Sequence, residues 1–189
     1  VRPKKLEEFI RQEHILGEDK LLYRTIKADR LSSIILWGPP GCGKTSLAKV
    51  ISETTKYRFY KINAVTAGVA DIKRVVEETR NYMMNPTGKS ILFIDEIHRF
   101  NKLQQDALLP YVENGTIILI GATTENPYFE VNGALISRSV VFELKPLSKE
   151  DIKTLISRAV YDVERGMGSY DAVIDEAAAD FLADMADGD

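Results

Sequence analysis

The chain contains 189 residues, of which 44% are hydrophobic and 28% are charged, and its formal net charge is −3. This length is sufficient for one packed core and part of a second small domain, and the acidic balance excludes a protein that coats nucleic acid through its overall charge. The single cysteine, Cys42, excludes an internal disulfide framework and favours a cytoplasmic protein, and no apolar run approaches the ~20 residues of a transmembrane helix.

Five apolar runs of strand length recur along the chain, and β-branched residues are frequent in them. They occupy residues 33–37, 58–62, 90–94, 116–120 and 139–143. Segments with helical spacing separate several of these runs, one from Val69 to Met83 and another that begins near Lys102. Such alternation is typical of a parallel sheet that is covered by helices on both faces. Pro110 lacks a backbone donor, so we expect a kink or an interruption in the second helical segment.

A glycine-rich loop lies between the first predicted strand and the helical segment that follows it. The loop fits the pattern G-x-x-x-x-G-K-[ST] in full, with Gly38, Pro39, Pro40, Gly41, Cys42, Gly43, Lys44 and Thr45. Glycines let backbone N–H groups turn towards an anion, and the helix N-terminus adds unsatisfied donors. Lys44 is placed to reach the β- and γ-phosphates of ATP, and the Thr45 hydroxyl to bind Mg²⁺. We also expect the adjacent Ser46 to contact the nucleotide.

The third predicted strand ends in two carboxylates, in the stretch SILFIDEIHRF. Ligands of open α/β sheets bind at the carboxyl ends of the strands. Asp95 is interpreted as a residue of the Mg²⁺ shell and Glu96 as the general base that polarises the attacking water. The alternative is a pair of solvated acids at a strand end. His98 has no evident catalytic partner in the sequence and is interpreted as a structural or relay residue.

Two later segments supply further candidate residues. The fourth strand is followed by hydroxyl and amide groups, and Thr123, Thr124 or Asn126 could touch the γ-phosphate or the attacking water. The alternative there is a simple polar turn. Arg138 ends a short apolar helix before the fifth strand. An arginine at this position can pair with a carboxylate of its own chain, or it can reach the phosphate of a neighbouring subunit and contribute about 10³–10⁵-fold in rate.

The strands stop near residue 145 and the pattern becomes helical. One helical stretch begins at Ser148 and Asp151, which resemble a capping box, and a second occupies residues 175–186. We therefore predict a nucleotide-binding α/β domain over residues 1–145 and the beginning of a helical lid subdomain over residues 146–189. Because this subdomain is too short to close its own core, we expect the natural chain to continue.

Together these motifs resemble those of AAA+ ATPases of the clamp-loader clade, which includes RuvB-type helicases, and more narrowly the RarA/MgsA/Werner-interacting ATPase family. The resemblance is carried by RPKKLEEFIRQEHILG, ILWGPPGCGKT, INAVTAGVADI, LFIDEIHRFNKLQQDALLPYVENGTIILIGATTENPYFE and ALISRS. It covers nearly the whole chain. It implies a P-loop NTPase fold with a five-stranded parallel sheet flanked by helices, ATP or ADP and Mg²⁺ as cofactors, and ATP hydrolysis.

The resemblance also implies roles for individual residues. The segment His14, Ile15 and Leu16 is similar to the one that cradles adenine through backbone contacts. Thr124 is similar to the sensor 1 residue, and Arg138 to an arginine finger that acts in trans. Arg11, which stands where family members usually have glycine, could alter the turn beside the adenine pocket.

For the whole protein, the resemblance implies a homotetramer that assembles through a C-terminal domain absent from this sequence. It further implies action on DNA at stalled forks, gaps or duplex ends, often with single-strand-binding protein. This would make the protein cytoplasmic and nucleoid-associated. The contacts with DNA cannot be located in this sequence.

Two alternative functions share part of this pattern. A clamp-loader subunit or a RuvB-like branch-migration ATPase belongs to the same class, and a C-terminal winged-helix domain would favour RuvB. A nucleotide-gated adaptor, which recruits replication proteins through its binding state, belongs to another class. Glu96 argues against a purely non-hydrolysing module, because nucleotide binding alone needs no base at that position.

Overall fold

The computed structural model of the chain describes residues 31–146, 148–161 and 176–186. Arg11 and the predicted adenine segment, His14, Ile15 and Leu16, lie outside the described residues. Their roles therefore stay predictions. Within the described residues, no helix is both long enough and apolar enough to cross a lipid bilayer.

Five strands form one parallel sheet in the described part of the chain. They are β1 (Ile34–Trp37), β2 (Arg58–Asn63), β3 (Ser90–Asp95), β4 (Ile117–Thr123) and β5 (Val140–Glu143). Their spatial order is β2-β3-β4-β1-β5, and every neighbouring pair is parallel. The predicted five-stranded parallel sheet is therefore confirmed.

The middle of the sheet is formed by β4 and β1, whose carboxyl ends lie side by side. β4 is longer than predicted and ends at Thr123, because Gly121 and Ala122 are buried beside β1. A Cβ atom at Gly121 would lie 2.8 Å from Cδ1 of Ile35, so glycine allows the close packing at this point. β1 ends at Trp37, which is partly buried and pairs in register with Thr123 on one side and with β5 on the other.

Helices connect the strands and cover the sheet. The helices of the described residues are α1 (Lys44–Glu53), α2 (Val69–Arg80), α3 (Lys102–Glu113), α4 (Pro127–Glu130), α5 (Gly133–Ser137), α6 (Lys149–Tyr161) and α7 (Glu176–Ala186). A short 3₁₀ helix, Ile97–Arg99, precedes α3. The predicted helical spacing to Met83 is wrong at its end, because α2 stops at Arg80 and Met83 is 94% exposed.

α3 continues through Pro110, so an interruption there is wrong, while the alternative of a kink stays a prediction. A proline removes only its own N–H from the helical ladder, and the Asn114 N–H donates to the Pro110 carbonyl at 3.0 Å one turn later. The start of α3 is fixed by a capping box, in which the Gln104 N–H donates to Asn101 Oδ1 at 2.8 Å. Leu108 is fully buried before the proline, and Tyr111 and Val112 pack partly buried against the same apolar cluster after it, so tertiary packing holds the helix on both sides of the proline.

Apolar clusters fill the space on both faces of the sheet. One cluster joins α1 to the sheet and includes Leu36 and Leu47. The other joins α2 and α3 to the opposite face and includes Ile35, Ile72 and Leu108. Each fully buried side chain of this size contributes about 1.5–3 kcal/mol. The sheet is therefore a rigid base for the polar residues at its strand ends.

The two last helices, α6 and α7, pack against each other. The predicted capping box at the start of α6 is confirmed, since the Asp151 N–H donates to Ser148 Oγ at 3.2 Å and the Ser148 N–H donates to Asp151 Oδ2 at 2.9 Å. Lys153 Nζ lies 2.7 Å from Asp180 Oδ1. This hydrogen bond raises the pKa of Lys153 and lowers the pKa of Asp180. The division of the chain at residue 145 stays a prediction.

Candidate active site

The glycine-rich loop curls between the end of β1 and the start of α1. Gly41 and Gly43 have φ angles of 76° and 100°, in the left-handed region that favours glycine. The Gly38 N–H donates to the Thr123 carbonyl at 3.1 Å, which attaches the loop to β4. On the other side, a Cβ atom at Gly38 would lie 2.6 Å from the Leu144 carbonyl oxygen. The backbone of the loop is thus held between the two strands that flank β1.

The amino group of Lys44 lies inside this curl. The residue is only 9% exposed, and its Nζ donates to the carbonyls of Gly38 at 2.7 Å and Pro39 at 2.9 Å. Nζ also lies 3.7 Å from Cys42 Sγ. Burial raises the pKa of the Cys42 thiol above its ordinary value, although Lys44 acts in the opposite direction. A phosphate oxygen that enters the loop would compete with the two carbonyls for the N–H groups of Lys44.

The N-terminus of α1 presents backbone donors to the same space. α1 begins immediately after Gly43, has no side-chain cap hydrogen bond, and has no acidic residue in its first turn. The N–H groups of a first helical turn lack partners within the helix, and the helix dipole favours an anion there. Thr45 and Ser46 belong to this turn and are partly buried. The loop and the helix start therefore form a site suited to phosphate.

Asp95 and Glu96 stand at the carboxyl end of β3. Asp95 Oδ1 accepts a hydrogen bond from the Glu96 N–H at 3.0 Å. Glu96 has φ 56° and ψ 42°, and among the described residues it is the only non-glycine residue with a positive φ. A left-handed residue of this kind costs about 1–3 kcal/mol, and such residues concentrate at functional sites. The strain favours a functional role for Glu96 over a solvated acid at a strand end, and its role as general base stays a prediction.

His98 connects Glu96 to the end of β4. Its Nε2 lies 3.3 Å from Glu96 Oε2, and its Nδ1 lies 2.7 Å from Thr123 Oγ1. Thr123 is fully buried. The sequence gives no sign of the contact between His98 and Thr123, because the two residues are far apart in the chain and meet only through the pairing of β3 with β4. The sequence shows a histidine shortly after the acidic pair, but that Thr123 is its partner follows only from the order of the strands.

The three polar candidates at the end of β4 have different surroundings in the structure. Thr123 points its hydroxyl at His98, whereas Asn126 caps α4, with its Oδ1 accepting from the Tyr128 N–H at 3.0 Å. Thr124 is partly buried beside Thr123. The contacts of Thr123 and Asn126 therefore lie within the protein, and the role of Thr124 as sensor stays a prediction.

Arg138 pairs with a carboxylate of its own chain. Its Nη2 lies 3.0 Å from Oε1 of Glu113 at the end of α3, and the two side chains are 45% and 43% exposed. A pair this exposed contributes at most about 1 kcal/mol. Little energy is therefore needed to release Arg138 from Glu113, and its role as an arginine finger in trans stays a prediction.

The donor set of the site fits Mg²⁺ bound together with a nucleotide. The described residues hold no group of three or more His, Cys, Asp or Glu side chains that could bind a metal by themselves. The Thr45 hydroxyl and the Asp95 carboxylate are hard oxygen donors. Mg²⁺ is ordinarily held by one or two such protein groups, with phosphates and waters completing the shell.

A parallel sheet with this loop between β1 and α1, and with an acidic pair at the end of β3, defines a P-loop nucleotide-binding protein. The family described as AAA, "ATPase family associated with various cellular activities", matches residues 34–147. The chain belongs to this family.

Individual relatives are similar over the whole chain. Over 189 residues it is 50% identical to "Replication-associated recombination protein A" of Coxiella burnetii and 49% identical to "ATPase WRNIP1" of Dictyostelium discoideum. It spans 42% of the first relative and 21% of the second. The solved structure of the Thermotoga maritima RuvB Holliday junction branch migration motor superposes with a TM-score of 0.74, at 30% identity, over 96% of this chain and 59% of that one.

Proposed function

We propose that this chain is the ATPase module of a protein that acts in DNA replication, recombination and repair, at stalled forks, gaps or duplex ends. The observation that carries the proposal is the convergence of two features at one edge of the sheet. One is the buried amino group of Lys44 inside a loop suited to phosphate, and the other is the strained Glu96 beside Asp95. A module that only bound nucleotide would have no use for a strained carboxylate at that edge.

The residues of the site have different roles in the hydrolysis of ATP. The loop N–H groups and Lys44 bind the β- and γ-phosphates of ATP. Thr45 and Asp95 would hold Mg²⁺, which neutralises phosphate charge when it is bound. Glu96 orients a water molecule and accepts its proton while the water oxygen forms a bond to the γ-phosphorus. The bond between that phosphorus and the β,γ-bridging oxygen breaks, and ADP and phosphate are the products.

Residues outside this centre complete the proposal. Thr124 touches the γ-phosphate or the attacking water, and Arg138 reaches the nucleotide of the next subunit in a homo-oligomer, for which a tetramer is the proposed form. His14, Ile15 and Leu16 hold the adenine. The names of the relatives, a recombination protein and a branch migration motor, support DNA as the partner. Single-strand-binding protein as a further partner and a place in the cytoplasm are proposed from the sequence resemblance alone.

The test is the steady-state rate of ATP hydrolysis by the natural full-length protein with Mg²⁺, measured without DNA and with single-stranded, duplex-ended or forked DNA. We expect a rate that one of these structures stimulates. The Glu96→Gln variant should bind ATP and lose roughly 10²–10⁴-fold in rate, because its amide cannot accept the proton. Glu77→Gln, at an exposed position on α2, is the matched control. Undiminished hydrolysis by Glu96→Gln would refute the assignment of the base.

A RuvB-like branch-migration motor is the second candidate, and the superposition on the RuvB motor favours it. A four-way DNA junction added to the same assay separates the two. Preferential stimulation by the junction would favour branch migration. A rate that no DNA changes would instead favour the nucleotide-gated adaptor and direct the search towards protein partners.

A further inference from the structure

A series of contacts links the phosphate loop to the proposed general base, and it consists of two hydrogen bonds that meet at Thr123 and a third contact between His98 and Glu96. The Gly38 N–H donates to the Thr123 carbonyl at 3.1 Å, and the Thr123 hydroxyl lies 2.7 Å from His98 Nδ1. His98 Nε2 in turn lies 3.3 Å from Glu96 Oε2. The side chain of His98 is 12% exposed and that of Glu96 is 33% exposed, so the series of contacts runs from the buried end of β4 to the open edge of the sheet.

The partners of Thr123 indicate the direction of these bonds. Its hydroxyl oxygen accepts from the Glu125 N–H at 3.0 Å, so its own proton has two possible acceptors, the Glu125 carbonyl at 3.4 Å and His98 Nδ1 at 2.7 Å. The shorter contact favours donation to Nδ1. A neutral imidazole that accepts at Nδ1 carries its proton on Nε2, which faces Glu96. The Nε2 proton then lies on the side of the ring that is 3.3 Å from Glu96 Oε2.

This arrangement restrains one oxygen of the Glu96 carboxylate and leaves the other available. The backbone of Glu96 is already fixed, because its N–H is bound by Asp95 and its carbonyl accepts from the Arg99 N–H at 2.8 Å. Its side chain, by contrast, extends into the partly exposed edge and has freedom about its own bonds. A donor on Oε2 removes that freedom and sets the direction of Oε1.

We propose that His98 is a positioning residue, which orients the Glu96 carboxylate and couples its direction to the phosphate loop through Thr123. This inference rests on the proposed function, since it assumes that Glu96 is the base. A shift of the loop when phosphate enters would pass through Gly38 and Thr123 to the imidazole. His98 therefore acts on the rate of hydrolysis and not on the affinity for nucleotide.

The experiment compares His98→Ala, His98→Gln and His98→Asn with the unmodified natural full-length protein and with Glu96→Gln. The kcat for Mg-ATP hydrolysis and the Kd for a fluorescent ATP analogue are measured for each. We expect His98→Ala to lower kcat by up to about 100-fold, because a small misplacement of the base has that effect, with little change in Kd. Glutamine can place an amide N–H near the Nε2 position and should recover much of the rate.

Asparagine supplies the matched control, because its shorter side chain reaches only the Nδ1 position. It can keep the contact with Thr123 but not the contact with Glu96, so its kcat should stay near that of His98→Ala. A purely structural role predicts the opposite order, with asparagine as good as glutamine or better. Thr123→Val should lower kcat less than His98→Ala, and it should add little in the His98→Ala background because the two residues act in one series of contacts.

The outcomes separate this inference from the proposed function. A protein that does not hydrolyse ATP, or a Glu96→Gln variant that hydrolyses it normally, overturns the proposed function and the inference with it. If Glu96→Gln is inactive while His98→Ala has an unchanged kcat, the inference alone is overturned. If His98→Ala does not fold, the glutamine and asparagine variants decide, and equal kcat values for those two overturn the positioning role.

Discussion

Two clusters of polar side chains lie at opposite ends of β3. They differ in burial and in how much of their hydrogen-bonding capacity is used within the protein. The closed cluster, at the amino end, consists of Thr79, Asn85 and Ser90, each at most 2% exposed. The Thr79 hydroxyl lies 2.8 Å from Ser90 Oγ and 2.6 Å from the Val75 carbonyl. Asn85 donates to the Thr79 carbonyl at 3.0 Å. All three side chains are thus engaged within the protein.

The open cluster, at the carboxyl end, consists of Asp95, Glu96 and His98. These side chains are partly exposed, and Glu96 has strained backbone. A satisfied buried network stabilises the fold, whereas partly exposed groups on a rigid edge keep bonding capacity for a ligand. β3 therefore has a stabilising cluster at one end and a candidate reactive cluster at the other. Burial and backbone strain distinguish the two clusters more clearly than residue type does. Substitutions should lower stability at the closed cluster and activity at the open one.

The largest effect is expected at Arg138, and it would show whether another copy of the chain supplies an arginine to the open cluster. Arg138→Ala should lower ATP hydrolysis by the assembled protein by about 10³-fold, because a positive charge at the transition state is lost. Mixed assemblies of Arg138→Ala and Lys44→Ala subunits should recover some hydrolysis, since an intact arginine then meets an intact loop. The steady-state rate of the mixture is the measurement. Arg74→Ala, at an exposed arginine of α2, is the control, and a mixture with no recovery would indicate a role within one chain.

The next effect concerns binding at the phosphate loop. Lys44→Ala should weaken ATP binding by about 100-fold, because the phosphates lose a buried cationic donor. Lys49→Ala, at an exposed position on the same helix, should leave the affinity unchanged. Titration with a fluorescent ATP analogue measures both. Equal affinities for the two variants would show that the loop does not hold phosphate as proposed.

At the closed cluster the effect should appear in stability. Thr79→Val keeps the shape of the side chain but removes the hydroxyl that bonds Ser90 Oγ and the Val75 carbonyl, so that the buried Ser90 hydroxyl keeps only the 3.5 Å contact with Asn85 Nδ2. This loss should lower the free energy of unfolding by about 1–3 kcal/mol. Urea denaturation is the measurement, with the exposed Thr66→Val as the control. The rate of ATP hydrolysis by the folded variant should not change. A loss of rate with unchanged stability would reverse the assignment of this cluster.

The smallest expected effect is the stability change at the strained residue itself. Glu96→Gly removes the side chain that opposes the left-handed backbone, but glycine also gains freedom in the unfolded chain. The free energy of unfolding should therefore stay the same or rise by up to ~1 kcal/mol, while hydrolysis is lost. Thermal and urea unfolding measure the first quantity. A destabilisation as large as that of Thr79→Val would mean that Glu96 belongs to the scaffold.

The sheet and the phosphate loop could be predicted from the sequence because their signals are local. A strand that is buried on both faces is a continuous apolar run, and the loop conformation follows from glycines at fixed spacing, as Gly41 and Gly43 show. The continuation of α3 through Pro110 was missed, because burial of Leu108 is a tertiary effect that no local pattern contains.

The connection of His98 to Thr123 was missed for a different reason. Each residue is unremarkable in its own segment, and they meet because β3 and β4 are neighbours in the sheet with a defined register. The left-handed backbone of Glu96 was equally invisible, since glutamate gives no sign of a positive φ. The parts of the site that depend on strand order and strain required the structure, whereas the parts that depend on a motif did not.

The position of Trp37 has a practical consequence. It is the single tryptophan of the chain, it ends β1, and it directly precedes the glycine-rich loop. Trp37 is partly buried and pairs in register with Thr123, so we expect its emission to change when nucleotide occupies the adjacent loop. We therefore expect the chain to contain its own optical probe of loop occupancy, with intrinsic fluorescence following nucleotide binding and release in real time without a label.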